Sequence, residues 1–262
     1  MPYNWNAKDY SAHSGQQEKW ALELLAKAGL RGNEHILDLG CGNGKVTGAM
    51  LQAVPLGTVT GVDSSVSMIR HARKAFPPGE NPRLKFLERD ACELGFCCEF
   101  DFVFSNAALH WLLDHLPMLS SIRKALKPGG RLLLQMGGAG NAQAMREIID
   151  EQAAAPQWQE YFADFAWPYG FHGPKEYQDW LAMAGLTPRR VELIPKPMDH
   201  KGVEGLKGWL RTTWLPYLER LPRDLHEPFL DQAATSYLHA HPLLPGDMAR
   251  VDMVRLEVEA ER

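Results

Sequence analysis

The chain has 262 residues, 45% hydrophobic and 23% charged, enough to bury a sizeable core without disulfides or a structural metal. Lys and Arg total 28 against 32 Asp and Glu, a net charge of −4 that argues against a dedicated nucleic-acid or anionic-membrane binder. No apolar run approaches the ~18 residues of a membrane span, and the opening MPYNWNAKDYSAHSG has neither the basic nor the apolar stretch of an export signal. Cys41, Cys92, Cys97 and Cys98 lack Cys or His partners at zinc spacing. The expectation is a cytoplasmic protein with reduced thiols and no bound metal.

Ser14 and Gln17, at capping-box spacing, open a predicted helix over 14–28 that carries Trp20, Leu24 and Leu25 on one face. HILDL (35–39) reads as a short buried strand, broken by GCGNG before a helix through about residue 53. TVTGVD (58–63) is a second strand, and Ser64 and Ser65 start a helix bearing Met68, Ile69 and Ala72. LKFLERD (84–90) and FDFVFSN (100–106) are the third and fourth strands. A helix over roughly 115–126 leads through a KPGG turn into the fifth, RLLLQM (131–136). This alternation requires parallel strands joined by right-handed crossovers, a doubly wound α/β sheet that binds its ligand at the carboxyl ends of the strands.

Beyond residue 140 the rhythm changes. Helices near 142–154, 174–184, 203–220 and 224–240 surround one strand, PRRVELIP (188–195), and the alternating VDMVRLEVEA closes the chain as another. The expected organisation is a lead helix and ligand-binding core over 1–140. Residues 141–262 would then form a helical substrate cap with the two closing strands of the same sheet.

Gly40, Gly42 and Gly44 let the backbone turn from strand to helix and let a ligand touch the main chain. A dinucleotide fingerprint needs its third glycine at position 45, which is Lys45 here, so a nicotinamide oxidoreductase is disfavoured. Asp38 stands just before the loop, and Asp63 ends the second strand where such folds place a ribose-binding carboxylate. Asp63 can equally cap the helix that follows.

HILDLGCGNG, the later Asp63, Arg89-Asp90-Ala91, FSNAALHW (104–111) and LKPGG (126–130), in this order, resemble the motifs of class I S-adenosylmethionine (SAM)-dependent methyltransferases. The resemblance implies a Rossmann-like, doubly wound seven-stranded sheet, parallel with an antiparallel last strand, and S-adenosyl-L-methionine as cofactor. The cofactor-binding residues it implies are Tyr10, Gln17, Asp38, Gly40, Cys41, Gly42, Asn43, Gly44, Asp63, Ser64, Met68, Asp90, Ala91, Asn106, Ala107 and Trp111.

The flanking YNWNAKDYSAHSGQQEKWALELL, FHGPKEYQDWLAMAGL and GLKGWLRTTWLPYLERLP are similar to the small-molecule group containing trans-aconitate and juvenile hormone acid methyltransferases. GGAGNAQAM (137–145) departs from that pattern. The resemblance implies a small-molecule carboxylate acceptor aligned by Trp111 with Gln17, or with Gln16, and His110 beside them. Tyr169, His172, Arg211 and Tyr217 would line the acceptor side of a cap that closes over it.

Alternatives stay open: Gln17 can serve only the cap, Trp111 only packing, His110 only structure, and Arg211 only a surface pair. Arg189-Arg190 and the Arg70–Lys74 stretch read as solvated faces. N- or C-methylation with His110 as base, a carrier-protein-bound acid, and a catalytically silent SAM-binding regulator compete with the leading reading. Base methylation in nucleic acid is disfavoured, because SNAALHW lacks an Asn/Asp-Pro-Pro-aromatic signature.

Overall fold

The computed structural model describes residues 15–262, with side chains from Glu18 onward. A helix α1 (Gly15–Lys27) precedes strand β1 (His35–Leu39), α2 (Lys45–Ala53), β2 (Thr58–Asp63), α3 (Val66–Ala75) and β3 (Leu84–Glu88). Then come β4 (Phe100–Asn106), a single 3-10 turn (Leu109–Trp111), α4 (Leu116–Ala125) and β5 (Leu126–Gly137). The later chain adds α5 (Gln143–Ala154), α6 (Gln159–Phe162), α7 (Pro174–Met183), β6 (Thr187–Pro195) and β7 (Met198–Lys201). It ends with α8 (Gly202–Thr213), α9 (Leu215–Leu218), α10 (His226–Ala240), β8 (Met248–Val251) and β9 (Val254–Glu261).

Seven strands form one sheet in the order β3-β2-β1-β4-β5-β9-β6. The pairs from β3 through β5 are parallel, and β9 runs antiparallel to β5. This is the doubly wound sheet the alternation predicts. The strand order reverses between β1 and β4, so the loops after their carboxyl ends diverge and leave a crevice there.

Strand alternation explains the two cores. Leu37 and Leu39 face one side with Val103, Met118, Ile122 and Tyr177, under α4 and α7. Ile36 faces the other with Val59, Phe102, Leu24, Met50 and Ile69, under α1, α2 and α3. Both faces are covered, which is why the strands read as nearly continuous apolar runs.

Three expectations need correcting. The KPGG segment is not a separate turn before β5: hydrogen bonding begins at Leu126, and the register to β4 slips between Phe100 and Phe102, with Gly129 at φ 73°. The helix expected over 203–220 is two helices broken at Trp214, with Pro216 at the start of the second. Proline cannot donate into the preceding turn, so the break follows. Strands β7 and β8, which the sequence reading did not separate, pair as a small antiparallel sheet.

The chain divides into two compact units. One contains the chain up to Ala139 with Tyr169–Ile194 and Arg255–Arg262, and thus the large sheet. The other contains Gly140–Pro168 and Pro195–Val254. Its interior is aromatic: Trp158 meets Phe229 edge-on at 5.1 Å, and Phe165 lies 4.4 Å from Tyr217. No helix among the described residues is long and apolar enough to cross a membrane.

Candidate active site

A cleft of about 600 Å³ opens at the carboxyl ends of β1, β2, β3 and β4. Its floor is the glycine loop. Gly40, Gly42 and Gly44 all have positive φ (74°, 52° and 82°), the region that L side chains rarely adopt. Their surroundings differ. A Cβ on Gly40 would come 2.2 Å from the Ala108 Cβ, and one on Gly44 would come 2.7 Å from Phe86 Cζ. A Cβ on Gly42 would meet nothing within 4 Å. Gly40 and Gly44 are thus required by packing, whereas Gly42 leaves ligand space.

Asp63 stands over this loop at the end of β2. Its two oxygens accept backbone N–H groups from Gly42 (2.9 Å) and Ser65 (2.8 Å). Burial outweighs those bonds and raises its pKa. Ser65 caps α3 by accepting from the Met68 N–H, so the capping role open to Asp63 is held by Ser65. Arg89 N–H donates to the Asp63 carbonyl, which ties the end of β3 to that of β2. The Asp90 side chain accepts from Cys92 N–H at 2.7 Å, which folds the loop carrying Ala91 along the cleft.

Across the glycine loop lies a smaller recess lined by Glu18, Asp38, Asn43, Lys45, Phe104 and Asn106, together with the loop itself. Asp38 is buried, and Thr47 Oγ1 donates to it at 2.7 Å. Burial first, and the neighbouring Asp63 charge as well, push its pKa up to about 7. A carboxylate so placed is a receptor for positive charge.

The wall after β4 is built on a strained residue, Ala107 at φ 55°, whose N–H is held by the Gln135 carbonyl. That turn sends Trp111 into the cleft wall. The Tyr169 ring lies 5.1 Å from Trp111, edge-on, and stacks on Phe171. His110 sits 5.6 Å from the Trp111 ring. Burial, then the charges of Arg255 and His115, hold the His110 pKa well below the usual imidazole range.

The sequence-derived residues therefore sort as follows. Gly40, Gly42, Asp63, Ser64, Met68, Asp90, Ala91, Ala107 and Trp111 line the cleft, and Asp38, Cys41, Asn43 and Asn106 line the recess. Gly44 lies behind the loop against Phe86. Tyr10 and the side chain of Gln17 lie outside the described residues, although Glu18, the next residue on α1, reaches the recess.

Of the acceptor residues, Tyr169 is brought to Trp111. His172 instead pairs with Glu176 (3.1 Å) and packs 4.6 Å from His115. Arg211 pairs with Glu227 at 2.9 Å, and the Tyr217 hydroxyl donates to Asp150 at 2.6 Å within the second unit's aromatic interior. Both of these are satisfied by their own chain. The lining residues that sequence reasoning did not choose include Arg89 and Leu112 in the cleft and Glu18 and Lys45 in the recess. All four were within reach, since each adjoins a residue already chosen.

Comparisons with known proteins agree in kind. A family model described as a methyltransferase domain matches residues 36–130. The chain is 30% identical to an Escherichia coli protein named trans-aconitate 2-methyltransferase, over 99% of this chain and 98% of that one. It is 32% identical to a protein of the same name from Azoarcus sp. (strain BH72), over 88% and 87%. Among solved structures it is similar to phosphoethanolamine N-methyltransferase 2 of Haemonchus contortus in complex with S-adenosyl-L-methionine. The TM-score is 0.64 at 19% identity, covering 98% of this chain and 56% of that one, a likeness of fold.

Proposed function

The chain belongs to the trans-aconitate 2-methyltransferase family of SAM-dependent methyltransferases, and we propose that it esterifies a carboxylate of a small molecule of the trans-aconitate type. The observation that carries this reading is the likeness to relatives named trans-aconitate 2-methyltransferase over nearly the whole chain, and His110, buried beside Trp111 with its pKa lowered by burial, agrees with it. A carboxylate, with an ordinary pKa near 4, is already ionised at neutral pH and asks no residue to remove a proton. A phenol, amine or carbon acid needs a base matched to working pH, and His110 is poorly matched.

The glycine loop fits the cofactor: at Gly42 a side chain would enter the cleft, and Asp63 presents a carboxylate fixed by two amides beside it. When bound, SAM supplies an electrophilic methyl group on a sulfonium. Asp63 would accept the ribose hydroxyls, Asp90 and the Ala91 backbone would take the adenine edge, and Asp38 and Asn106 would stand toward the α-ammonium of the amino-acid end. Gly42 would let the main chain approach the cofactor closely. Trp111, with Tyr169 edge-on against its ring, would donate to the acceptor carboxylate and hold it for in-line approach; the Gln17 side chain assigned the same role lies outside the described residues. The reading favours a cytoplasmic enzyme acting on a free small molecule over a carrier-protein-bound acid, with no nucleic-acid or membrane partner.

The test is incubation of purified protein and methyl-labelled SAM with a panel of carboxylates, phenols and amines. Base-labile labelled product from the carboxylates is expected. Base-stable product from an amine or carbon acid would replace this reading with N- or C-methylation.

A further inference from the structure

Cys97 and Cys98 lie in the loop before β4, at the end of that strand opposite the cleft. Both are exposed free thiols. In an extended segment, neighbouring side chains point to opposite faces. Here Cys98 takes φ 54°, a conformation disfavoured for a residue with a Cβ, and the two sulfurs come to 4.0 Å. The fold holds that conformation in place: Cys98 N–H donates to the Lys124 carbonyl and Glu99 N–H to the Ala125 carbonyl, both at 2.9 Å. Arg262 completes the group. One guanidinium nitrogen donates to Cys98 Sγ at 3.2 Å and also reaches the Leu126 carbonyl.

The chemistry of the two thiols is unequal. The hydrogen bond from Arg262, with the charges of Arg262 and Arg123 behind it, lowers the Cys98 pKa. The Cys97 thiol, which faces the Cys98 sulfur and lies near Glu99, is raised. Of the other two, Cys92 is pushed up to about 11 by burial and the neighbouring Asp90, and burial raises Cys41 well above its ordinary value. The more acidic thiol, bonded to Arg262, therefore stands 4.0 Å from the less acidic one, the arrangement of an attacking and a resolving cysteine.

We propose that Cys97 and Cys98 form a thiol–disulfide exchange site that accepts low-molecular-weight disulfides. The Cys98 thiolate attacks one sulfur of the small disulfide, whose S–S bond breaks and releases its first half as a thiolate. Cys97 loses its proton to solvent and attacks Cys98 Sγ, and the second half departs as a thiolate. Two protein thiols become one Cys97–Cys98 disulfide, and one small disulfide is reduced to two thiols.

The probe is 5,5′-dithiobis(2-nitrobenzoic acid) in modest excess over the full chain, followed by stopped-flow absorbance, intact mass and peptide mapping. The wild type is expected to release two aromatic thiolates per chain in its fast phase and to lose two hydrogens, with no adduct retained at 97 or 98. Cys97→Ser should release one and keep the adduct on Cys98. Cys98→Ser should lose the fast phase, and Arg262→Gln should slow it by roughly threefold or more as the thiolate fraction falls. Retained adducts on both cysteines of the wild type, or a Cys98→Ser variant reacting as fast as the wild type, would overturn the proposal.

Discussion

Asp38 on β1 and Glu257 on β9 are carboxylates buried in the same seven-stranded sheet, and their surroundings are opposite. Glu257 accepts Lys27 (2.9 Å), Arg190 (2.8 Å) and the Gln135 amide (2.7 Å). Burial opposes its charge, but Lys27 and Arg190 outweigh it and hold the carboxyl below its usual range. Among the described residues Asp38 accepts one hydroxyl, from Thr47, and burial first, then the nearby Asp63 charge, raise its pKa to about 7. Around Glu257 the buried charge is answered within the sheet by two cations and an amide. On the cleft side, no cation among the described residues forms an ion pair with Asp38, and a buried carboxylate with a raised pKa in a recess is a feature of ligand sites.

The largest test separates the glycines of the cleft side. Gly44→Val forces a side chain against Phe86 and Ala72 at a left-handed φ, and strain of both kinds should cost about 3 kcal/mol or more in unfolding free energy. Gly42→Val shares the backbone strain but points into open space. It should stay folded by circular dichroism while SAM binding disappears in calorimetry. Retained SAM affinity in the folded Gly42→Val variant would remove the loop from the site.

The two carboxylates are tested as a pair. Glu257→Gln should lose about 1.5–3 kcal/mol of stability, toward the lower end because Lys27 and Arg190 are partly exposed and can rehydrate. SAM affinity should be unchanged. Asp38→Asn should keep or gain stability, since Thr47 still finds an acceptor, and should weaken SAM binding.

Their pH dependences run in opposite senses. Glu257, with its folded pKa lowered, contributes stability that is present above its unfolded value and lost as pH falls through the folded one. Asp38 is raised from 3.8 to about 7, so the folded chain keeps a proton that the unfolded chain gives up. Stability should therefore decline as pH rises between those values and level off above them. Denaturant titrations across pH should show this slope in the wild type and its loss in Asp38→Asn. A variant with the wild-type slope would place the titration elsewhere.

Asp63→Ala is the next step down. Removing a fixed ribose acceptor should weaken SAM by on the order of 1.5–3 kcal/mol. The loop also loses the anchor between Gly42 and Ser65, so a thermal melt must accompany the calorimetry. Near-unchanged affinity would take Asp63 out of the cofactor set.

The same contrast marks what could be read from the sequence. The cleft side was legible because its signals are local: an apolar strand, glycine punctuation, an acid at each strand end, and a serine cap for α3. The Glu257 cluster was not. Arg190 read as a solvated charge, yet it sits 67 positions from the buried Glu257 it binds, and only the pairing of the sheet's far strands brings them together. Arg73 failed likewise: it lies on an exposed face, but its guanidinium donates to the Phe86 carbonyl. In the second unit, Arg211 and Tyr217 looked available for a ligand because the carboxylates that answer them, Glu227 and Asp150, lie 16 and 67 positions away. Tyr217 is buried there against Phe162 and Phe165, rings from a distant segment that no short-range periodicity joins to it.

The smallest expected effects concern the acceptor. Trp111→Phe keeps the ring against Tyr169 but removes the indole N–H, and should cost about 0.5–1.5 kcal/mol in kcat/KM for a carboxylate acceptor. His110→Asn should cost less. Burial and the nearby Arg255 and His115 charges keep the imidazole neutral well below its usual range, so it does not change charge across the working range. With an acceptor already ionised and no catalytic proton transfer, kcat should be flat from roughly pH 6 to 8. The neutral ring then acts by filling space between Trp111 and Phe171, a role an asparagine partly preserves. A rate that climbs through a single ionisation near 6.5 and vanishes in His110→Asn would mean that the imidazole is more basic than its burial allows. The acceptor's proton would then be its target, and the carboxylate reading would give way to general-base methylation.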